Sequence, residues 1–278
     1  MEDMAATPSR ATPETLAALR AAIARLGTGE GGETADMFSF GCAPLDGALG
    51  GGLPRAALHE VLCEGAADAA AATGFALAMA LRAAAGRPLV WVRQEFLDTE
   101  TGGLYAPGLV DFGLDPQRLV LVRAADPKAV LRAAGEAARA AVLGAVLFES
   151  IGEAKAFDLT ASRRLALAAG ASGVTLLAVR IAAPPAASAA VSRWRVAGAA
   201  SAPLEANAPG HPAFSVELLR HRAGLAGRTW VLEWNRERHV FGEPAPLSGG
   251  VVSLPVGRPA ASAGDGAGRG AERFRRTG

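Results

Sequence analysis

The chain has 278 residues, half of them hydrophobic, and a formal net charge of +1 at pH 7. This near-zero charge gives no bulk electrostatic attraction for nucleic acid, and no apolar run reaches the roughly 18–20 residues of a membrane helix. The N-terminus lacks the basic and apolar regions of a secretory signal. Cys42 and Cys63 fit neither a metal-ligand spacing nor a disulfide framework. We therefore expect a cytoplasmic protein with reduced thiols and no metal site.

Two segments of low complexity flank the central part of the chain. Residues 14–27 place Leu16, Leu19, Ile23 and Leu26 at helical spacing and end on a glycine, which predicts a short amphipathic helix. A linker rich in glycine and acidic residues follows, and the chain beyond residue 247 is poor in bulky side chains. The predicted organisation is an N-terminal helix with a flexible linker (1–36), a core domain (37–247) and a disordered tail (248–278).

The core segment alternates between short apolar strands and helices. The strings ALHEVLC, PLVWVR, LVLVR, GAVLFES and GVTLLAVR predict strands, whereas TGFALAMALRAAAG, DPKAVLRAAGEAARAA and FDLTASRRLALAAG predict helices. Asp126 and Pro127 form a strong helix start. This alternation is typical of an α/β protein with a mainly parallel sheet flanked by helices. After residues 184–185, the strings SRWRV, AFSVELLRHR and RTWVLEWNR predict antiparallel strands that extend the sheet.

Residues 38–61, FSFGCAPLDGALGGGLPRAALHEV, resemble the segment that leads into the first core strand of RecA-type recombinases. The likeness continues through residues 105–140 and covers roughly residues 38–234. Within the RecA-like proteins, residues 158–164 and 192–196 are most similar to the ImuA family, which acts in damage-induced bacterial mutagenesis. The resemblance therefore implies a RecA-like core and a role in DNA repair.

The loop after the first core strand departs from an active phosphate loop. Such a loop needs a lysine that reaches the phosphates and a hydroxyl that holds Mg²⁺. Here Ala69 falls at the lysine, Ala70 at the hydroxyl and Asp68 near the second glycine, and no lysine lies between Gly65 and Gly86. We expect Asp68 to face the phosphate space and Thr73 to cap the following helix. ATP binding is therefore doubtful, and no cofactor is predicted.

Four further positions match RecA-type nucleotide-site residues through the resemblance. Glu95 stands at the water-activating glutamate and Glu149 at the metal-binding carboxylate. Arg220 and Arg222 stand at the basic pair that reaches the nucleotide of a neighbouring subunit. A second interpretation is that these glutamates are ordinary solvent-facing residues at strand ends and that the arginines are a solvated cationic strand face. Both interpretations remain open at this point.

The two loops that contact DNA in RecA recombinases are reduced here to IGEAKAF (151–157) and IAAPPAASAA (181–190). Neither carries the basic and aromatic residues that single-strand binding by stacking needs. Arg193 and Arg195 share one face of a strand and Trp194 the other, so the tryptophan is predicted in the core. We expect DNA contact to be weak or indirect.

The leading hypothesis is a non-catalytic adaptor in SOS mutagenesis and translesion DNA synthesis. The family resemblance implies two partners, an inactive Y-family polymerase-like protein of the ImuB type and an error-prone replicative-type DNA polymerase, with RecA recombinase as a further contact. The alternatives are a DNA-stimulated ATPase with an unorthodox phosphate loop and a single-strand DNA-binding module. Candidate partner-binding residues are the aromatic side chains of the C-terminal third: Trp230, Trp234, Phe241 and Phe274.

Overall fold

A computed structural model of the chain describes residues 36–153, 155–201, 203–204 and 208–244. The predicted helix at residues 14–27 and the predicted tail lie outside these ranges. The strands and helices of the described part, in chain order, are β1 (Met37–Phe38), α1 (Ala43–Ala48), β2 (Leu53–Pro54), β3 (Leu58–Cys63), α2 (Ala69–Ala84), β4 (Leu89–Gln94), α3 (Phe96–Thr101), α4 (Ala106–Asp111), β5 (Leu119–Ala124), α5 (Pro127–Ala137), β6 (Ala145–Ile151), α6 (Leu159–Ser172), β7 (Thr175–Ile181), β8 (Ser192–Gly198), β9 (Ala213–His221), β10 (Arg228–Asn235) and β11 (Val240–Gly242).

One nine-stranded sheet organises these elements, in the order β11-β10-β9-β8-β3-β7-β6-β4-β5. The six strands from β8 to β5 are parallel, whereas β9, β10 and β11 are each antiparallel to the preceding strand. This confirms the predicted α/β class and the antiparallel extension formed by β9 and β10. The string SRWRV, which the sequence predicts as an antiparallel strand, forms β8 and pairs in parallel with β3, so that part of the prediction is wrong. A separate two-stranded pair, β1 with β2, was not predicted; two-residue strands are too short to show a hydrophobic period.

Helices cover the two faces of the sheet unequally. Helix α2 packs against β3, β6, β7 and β8 on one face, and α5 and α6 pack against the parallel strands on the other. Strands β3 and β7 are accordingly buried along their whole length, as parallel strands between two helical layers are. Strands β8 and β9 alternate between buried and exposed residues. The α6 face of β8 and β9 is therefore largely open.

Strand β9 contains one extra residue relative to β8. Arg193 pairs with Arg220, but its neighbour Trp194 pairs with Leu218, so Leu219 has no partner in the register. Such a β-bulge reverses the alternation of side chains beyond it. Phe214, Val216 and Leu218 are consequently buried under α2, whereas Arg220 lies on the opposite face of the sheet.

A buried histidine joins the start of β3 to β8. His59 is fully buried; its Nε2 lies 2.9 Å from the carbonyl of Pro54 and its Nδ1 lies 2.8 Å from Oγ of Ser192. Since a carbonyl only accepts, Nε2 carries the proton, and Nδ1 accepts from the hydroxyl of Ser192. That hydroxyl also accepts from the indole Nε1 of Trp194 at 3.0 Å. Burial lowers the pKa of His59 from 6.5 to about 4, because the charged ring loses its hydration.

The neutral ring of His59 makes folding depend on pH in a defined direction. A histidine whose folded pKa is depressed stabilises the fold above its unfolded pKa, and that stability is lost as pH falls from 6.5 towards about 4. We predict that the free energy of unfolding decreases by about 3 kcal/mol over this window because of His59. Urea unfolding of the wild type and of His59→Gln at several pH values isolates this contribution from that of the carboxylates. Parallel pH curves for the two proteins would contradict the prediction.

Candidate functional site

The loop between β3 and α2 is tightly turned onto itself. Gly65 is extended (φ −154°, ψ 178°), and residues Ala66–Asp68 form a single 3₁₀ turn in which the N–H of Asp68 donates to the carbonyl of Gly65. A phosphate-binding loop instead directs successive N–H groups towards one anion. Helix α2 begins at Ala69, whose side chain is buried, and Ala70 is exposed.

Two predictions about this loop are wrong. The carboxylate of Asp68 does not point freely into the phosphate space, because its Oδ1 accepts a 3.0 Å hydrogen bond from the N–H of Gly198 at the end of β8. Thr73 does not cap α2, because the helix begins four residues earlier and Thr73 is buried in its second turn. Asp68 occupies the N-cap position of α2, but its side chain forms no capping hydrogen bond.

Glu149 lies at the centre of a buried polar cluster. Its Oε1 accepts a 2.6 Å hydrogen bond from Oγ1 of Thr73, and its Oε2 accepts a 2.7 Å hydrogen bond from Nη1 of Arg93. The side chain of Glu149 is 0% exposed and that of Arg93 is 6% exposed. The interpretation of Glu149 as a solvent-facing residue is therefore wrong. Both of its carboxylate oxygens are engaged by donors of the same chain.

Arg93 continues the cluster towards the surface. Its Nε donates to Asp98 at 3.0 Å, and its Nη2 donates to the hydroxyl of Thr101 and the carbonyl of Gly102. Asp98 in turn pairs with Arg123 on β5. The result is a row of alternating charges, Glu149, Arg93, Asp98 and Arg123, in which each buried charge has an opposite neighbour.

Burial and hydrogen bonding act in opposite directions on Glu149. Burial raises the pKa of its carboxyl, because the charged form loses its hydration. The guanidinium of Arg93 is the largest opposing influence and lowers that pKa, as does the hydrogen bond from Thr73. The ionised form of Glu149 therefore depends on Arg93.

A cavity of about 330 Å³ lies beside the start of α2, next to the positions that the resemblance assigns to the lysine and the hydroxyl. Ala69, Ala70, Thr73 and Arg93 line it. Most of its remaining lining is apolar, with contributions from Trp91, Leu104, Tyr105, Phe112 and Phe214. Gly65, Asp68 and Glu95 are not among the lining residues. The structure thus brings only part of the predicted nucleotide site together.

Glu95 follows β4 and is exposed, with its N–H bonded to the carbonyl of Ala124. Arg220 and Arg222 lie at the opposite end of the sheet, where β9 ends; both are exposed, and Nη1 of Arg220 donates to the carbonyl of Ser188 at 2.9 Å. They share one face, as predicted, since both line the same groove beside α6.

Two of the predicted partner-binding aromatics belong to the core, which corrects that prediction. Trp234 is 0% exposed, stacks on Phe112 and donates from Nε1 to the carbonyl of Phe112 at 2.9 Å. Phe241 is 1% exposed and packs against Phe40, Phe75 and Trp234. Neither ring is available to a partner in this fold.

The other two aromatic candidates are Trp230, which the structure describes, and Phe274, which it does not. Trp230 is half-buried and packs against Trp194, which is fully buried as predicted, with ring centroids 6.2 Å apart. Phe274 lies outside the described residues. Strand β11 pairs only with Glu233, Trp234 and Asn235 of β10, which leaves the outer edge of β10 near the exposed Val231 without a strand partner among the described residues.

Arg93 is the residue of the candidate site that the sequence analysis did not identify. The sequence feature that could have indicated it is a charged residue inside each of two mostly apolar strands, VWVRQ and VLFES. In the parallel register of β4 and β6, Arg93 pairs with Glu149. The sequence shows both charges but not that these two strands are neighbours.

We predict that Arg93→Ala lowers the free energy of unfolding by about 3–5 kcal/mol, because it leaves the buried Glu149 without a counter-charge. Arg123→Ala is the matched control: it removes an arginine whose side chain is 58% exposed and that pairs with Asp98, and should cost less than about 1 kcal/mol. Combining Arg93→Met with Glu149→Leu should recover most of the loss, since no charge remains buried. Urea unfolding measures all three variants, and equal small losses for Arg93→Ala and Arg123→Ala would contradict the prediction.

Comparisons with known proteins agree on fold and family. A scan against models of protein families finds no match. The crystal structure of the RadB recombinase aligns with a TM-score of 0.52 and 18% identity, and the alignment covers 75% of this chain and 100% of the RadB chain. This confirms the RecA-like fold.

Two curated relatives, both called Protein ImuA, come from two strains of Caulobacter vibrioides. Each is 36% identical over 219 residues, a match that covers 73% of this chain and 85% of the relative. No helix among the described residues is long and apolar enough to cross a membrane. With this identity over most of both sequences, the chain belongs to the ImuA family.

Proposed function

We propose that this protein is a non-catalytic, RecA-like adaptor in damage-induced mutagenesis and translesion DNA synthesis. Its membership of the ImuA family supports the pathway. The observation that carries the non-catalytic part is Arg93, whose guanidinium occupies the carboxylate that the RecA resemblance assigns to the metal. A nucleotide-bound Mg²⁺ would have to displace this internal cation from a fully buried glutamate.

The phosphate side of the site supports the same proposal. Transfer of a phosphoryl group depends mainly on positive charge placed around the phosphates. Ala69 and Ala70 supply neither the cation nor the hydroxyl, and the 3₁₀ turn before them uses the N–H of Asp68 internally. Among the residues that the structure describes, Arg93 is the one cationic side chain that lines the cavity, and it binds Glu149, Asp98 and the carbonyl of Gly102 after α3.

We predict no hydrolysis of Mg-ATP above background, with or without DNA. Ala69→Lys alone should not restore it, because Arg93 still occupies Glu149 and the 3₁₀ turn still consumes the loop N–H. Phosphate release assays and equilibrium ATP binding test this prediction. Turnover by the unmodified protein that falls on Glu95→Gln would instead support the alternative of a DNA-stimulated ATPase with an unorthodox phosphate loop.

The adaptor proposal also names partners. We propose that the protein binds an inactive Y-family polymerase-like protein of the ImuB type and an error-prone replicative-type DNA polymerase, with RecA recombinase as a further contact. Support comes from the family and from the surfaces available: the unpaired edge of β10 can accept an extended segment of another protein. DNA contact is proposed to be weak or indirect, and a salt-dependent titration with single-stranded DNA separates this from a DNA-binding module.

We predict that deleting the residues beyond Pro244 weakens binding to the polymerase-like partner while the core stays folded. The deleted part includes Phe274 among arginines, a composition that can fold on a partner, whereas the described sheet ends at Gly242. Purified partner binding reports the interaction, and circular dichroism reports the fold. If the shortened protein binds as well as the full chain, the contact lies elsewhere, and the segment at residues 14–26 becomes the next candidate.

A pull-down of the full-length protein from DNA-damaged cells tests the adaptor proposal itself. Failure to recover any polymerase component would contradict it.

A further inference from the structure

A groove of about 720 Å³ runs along α6 on the open side of the sheet. It lies between that helix, the chain that leads into β3 and β8, and the end of β9. Its apolar lining consists of Ala56, Ala57, Leu58, Leu159, Ala166, Leu167, Ala189, Ala190 and Val191. Leu167 is 74% exposed and Leu159 is 39% exposed. We call this feature the α6 groove.

Three arginines, Arg163, Arg220 and Arg222, line the α6 groove. All three are exposed, and none forms an ion pair with an acidic residue in the part of the chain that the structure describes. The groove therefore combines an apolar floor with three unneutralised positive charges. An occupant that fits it presents apolar side chains and carries acidic residues nearby.

The described chain begins beside one end of this groove. The carbonyl of Asp36 accepts a 2.7 Å hydrogen bond from the N–H of Arg55, and its carboxylate pairs with Nε of Arg55 at 3.2 Å. The next residue, Ala56, lines the α6 groove. The guanidinium of Arg55 donates to the carbonyls of Arg82 and Ala83 at the end of α2. The preceding 35 residues therefore join the fold at the edge of the sheet between the end of α2 and the α6 groove.

Those residues carry the chemistry that the groove requires. Glu30 and Glu33 lie within six residues of Asp36, and further upstream Leu16, Leu19, Ile23 and Leu26 recur at helical spacing. At such spacing Arg20 borders this apolar stripe and Arg25 falls opposite it.

The lengths also match. A helix over residues 14–26 is about 20 Å long, and the α6 face from Leu159 to Gly170 is about 17 Å long. The nine residues between residue 26 and Asp36 span up to about 30 Å when extended. The segment can thus reach the full groove from its point of attachment.

We propose that residues 14–35 fold back and occupy the α6 groove of their own chain. Leu16, Leu19, Ile23 and Leu26 pack on the apolar floor, and Glu30 and Glu33 neutralise Arg220 and Arg222. The two arginines that the RecA resemblance directs towards a neighbouring subunit are then covered from within the same molecule.

Photo-cross-linking of the full-length protein tests this proposal. p-Benzoylphenylalanine replaces Leu167, which tolerates a larger side chain because it is mostly exposed. Irradiation at low micromolar protein concentration is followed by peptide mapping of the monomer band. We expect cross-links to residues 14–35 of the same chain. Cross-links that appear only between two chains, or that include no N-terminal peptide, would overturn the proposal.

Paired variants separate specific docking from chance contact. Leu19→Asp with Ile23→Asp should reduce the intrachain cross-link by about tenfold or more, because a carboxylate is disfavoured against an apolar floor. Ala17→Asp with Ala21→Asp adds the same charge to the opposite side of the predicted helix and should leave the cross-link unchanged. Equal reductions by both pairs would contradict a defined docking face.

A second set of variants tests the arginines. Charge reversal to glutamate at Arg163, Arg220 and Arg222 should reduce the cross-link severalfold, since it turns attraction for Glu30 and Glu33 into repulsion. The control reverses Arg132, Arg139 and Arg228, three exposed arginines outside the groove, and should change little. Circular dichroism confirms that each variant is folded. An unchanged cross-link after reversal of the groove arginines would show that charge does not guide the segment.

Discussion

The ion pair between Arg93 and Glu149 holds the centre of this molecule together. It joins neighbouring strands β4 and β6 side by side, and through Thr73 it ties both to α2. A charge without a partner at this depth would be very costly, so the surrounding elements have to meet at one fixed register. The same pair lies at the position that the RecA resemblance assigns to a metal-binding carboxylate, and there Glu149 faces a cation that belongs to the chain.

The short loop before α2 shows a similar replacement. Asp68 occupies a position at which a glycine would give the backbone room to approach phosphate, and it uses its carboxylate to hold the end of β8. Groups at positions that the RecA resemblance assigns to a ligand site make contacts within the fold here. A change of one residue in the loop leaves these internal contacts in place.

The layered architecture was readable from the sequence because it rests on local patterns. Strands such as LVWVRQ and TLLAVRI are mostly apolar and are buried along their length. Asp126 and Asp158 cap their helices in the structure through bonds to the N–H groups of Ala129 and Ala161. The boundary of α2 was missed because its first four residues are alanine, whereas Thr73, directly before Gly74, is a residue type typical of a cap. The burial of Trp234 and Phe241 was missed because the alternation of side chains along a strand separates its two faces but does not show which face distant residues cover. The contact between Arg93 and Glu149 was missed for a similar reason, since it depends on which strand lies beside β4.

The extra residue in β9 changes which side chains of the strand face the core. Before Leu219, even-numbered side chains of the strand enter the core; after it, even-numbered side chains leave it. If Leu219 instead paired with Arg193 in a regular ladder, Arg220 would continue the row of Phe214, Val216 and Leu218 and would face the packed aromatic layer under α2. The surface position of Arg220 and Arg222 thus depends on the bulge at Leu219, a residue that is uncharged and has no partner in the register. A regular ladder that kept Leu219 would therefore move the basic pair from the surface towards the core without changing either arginine.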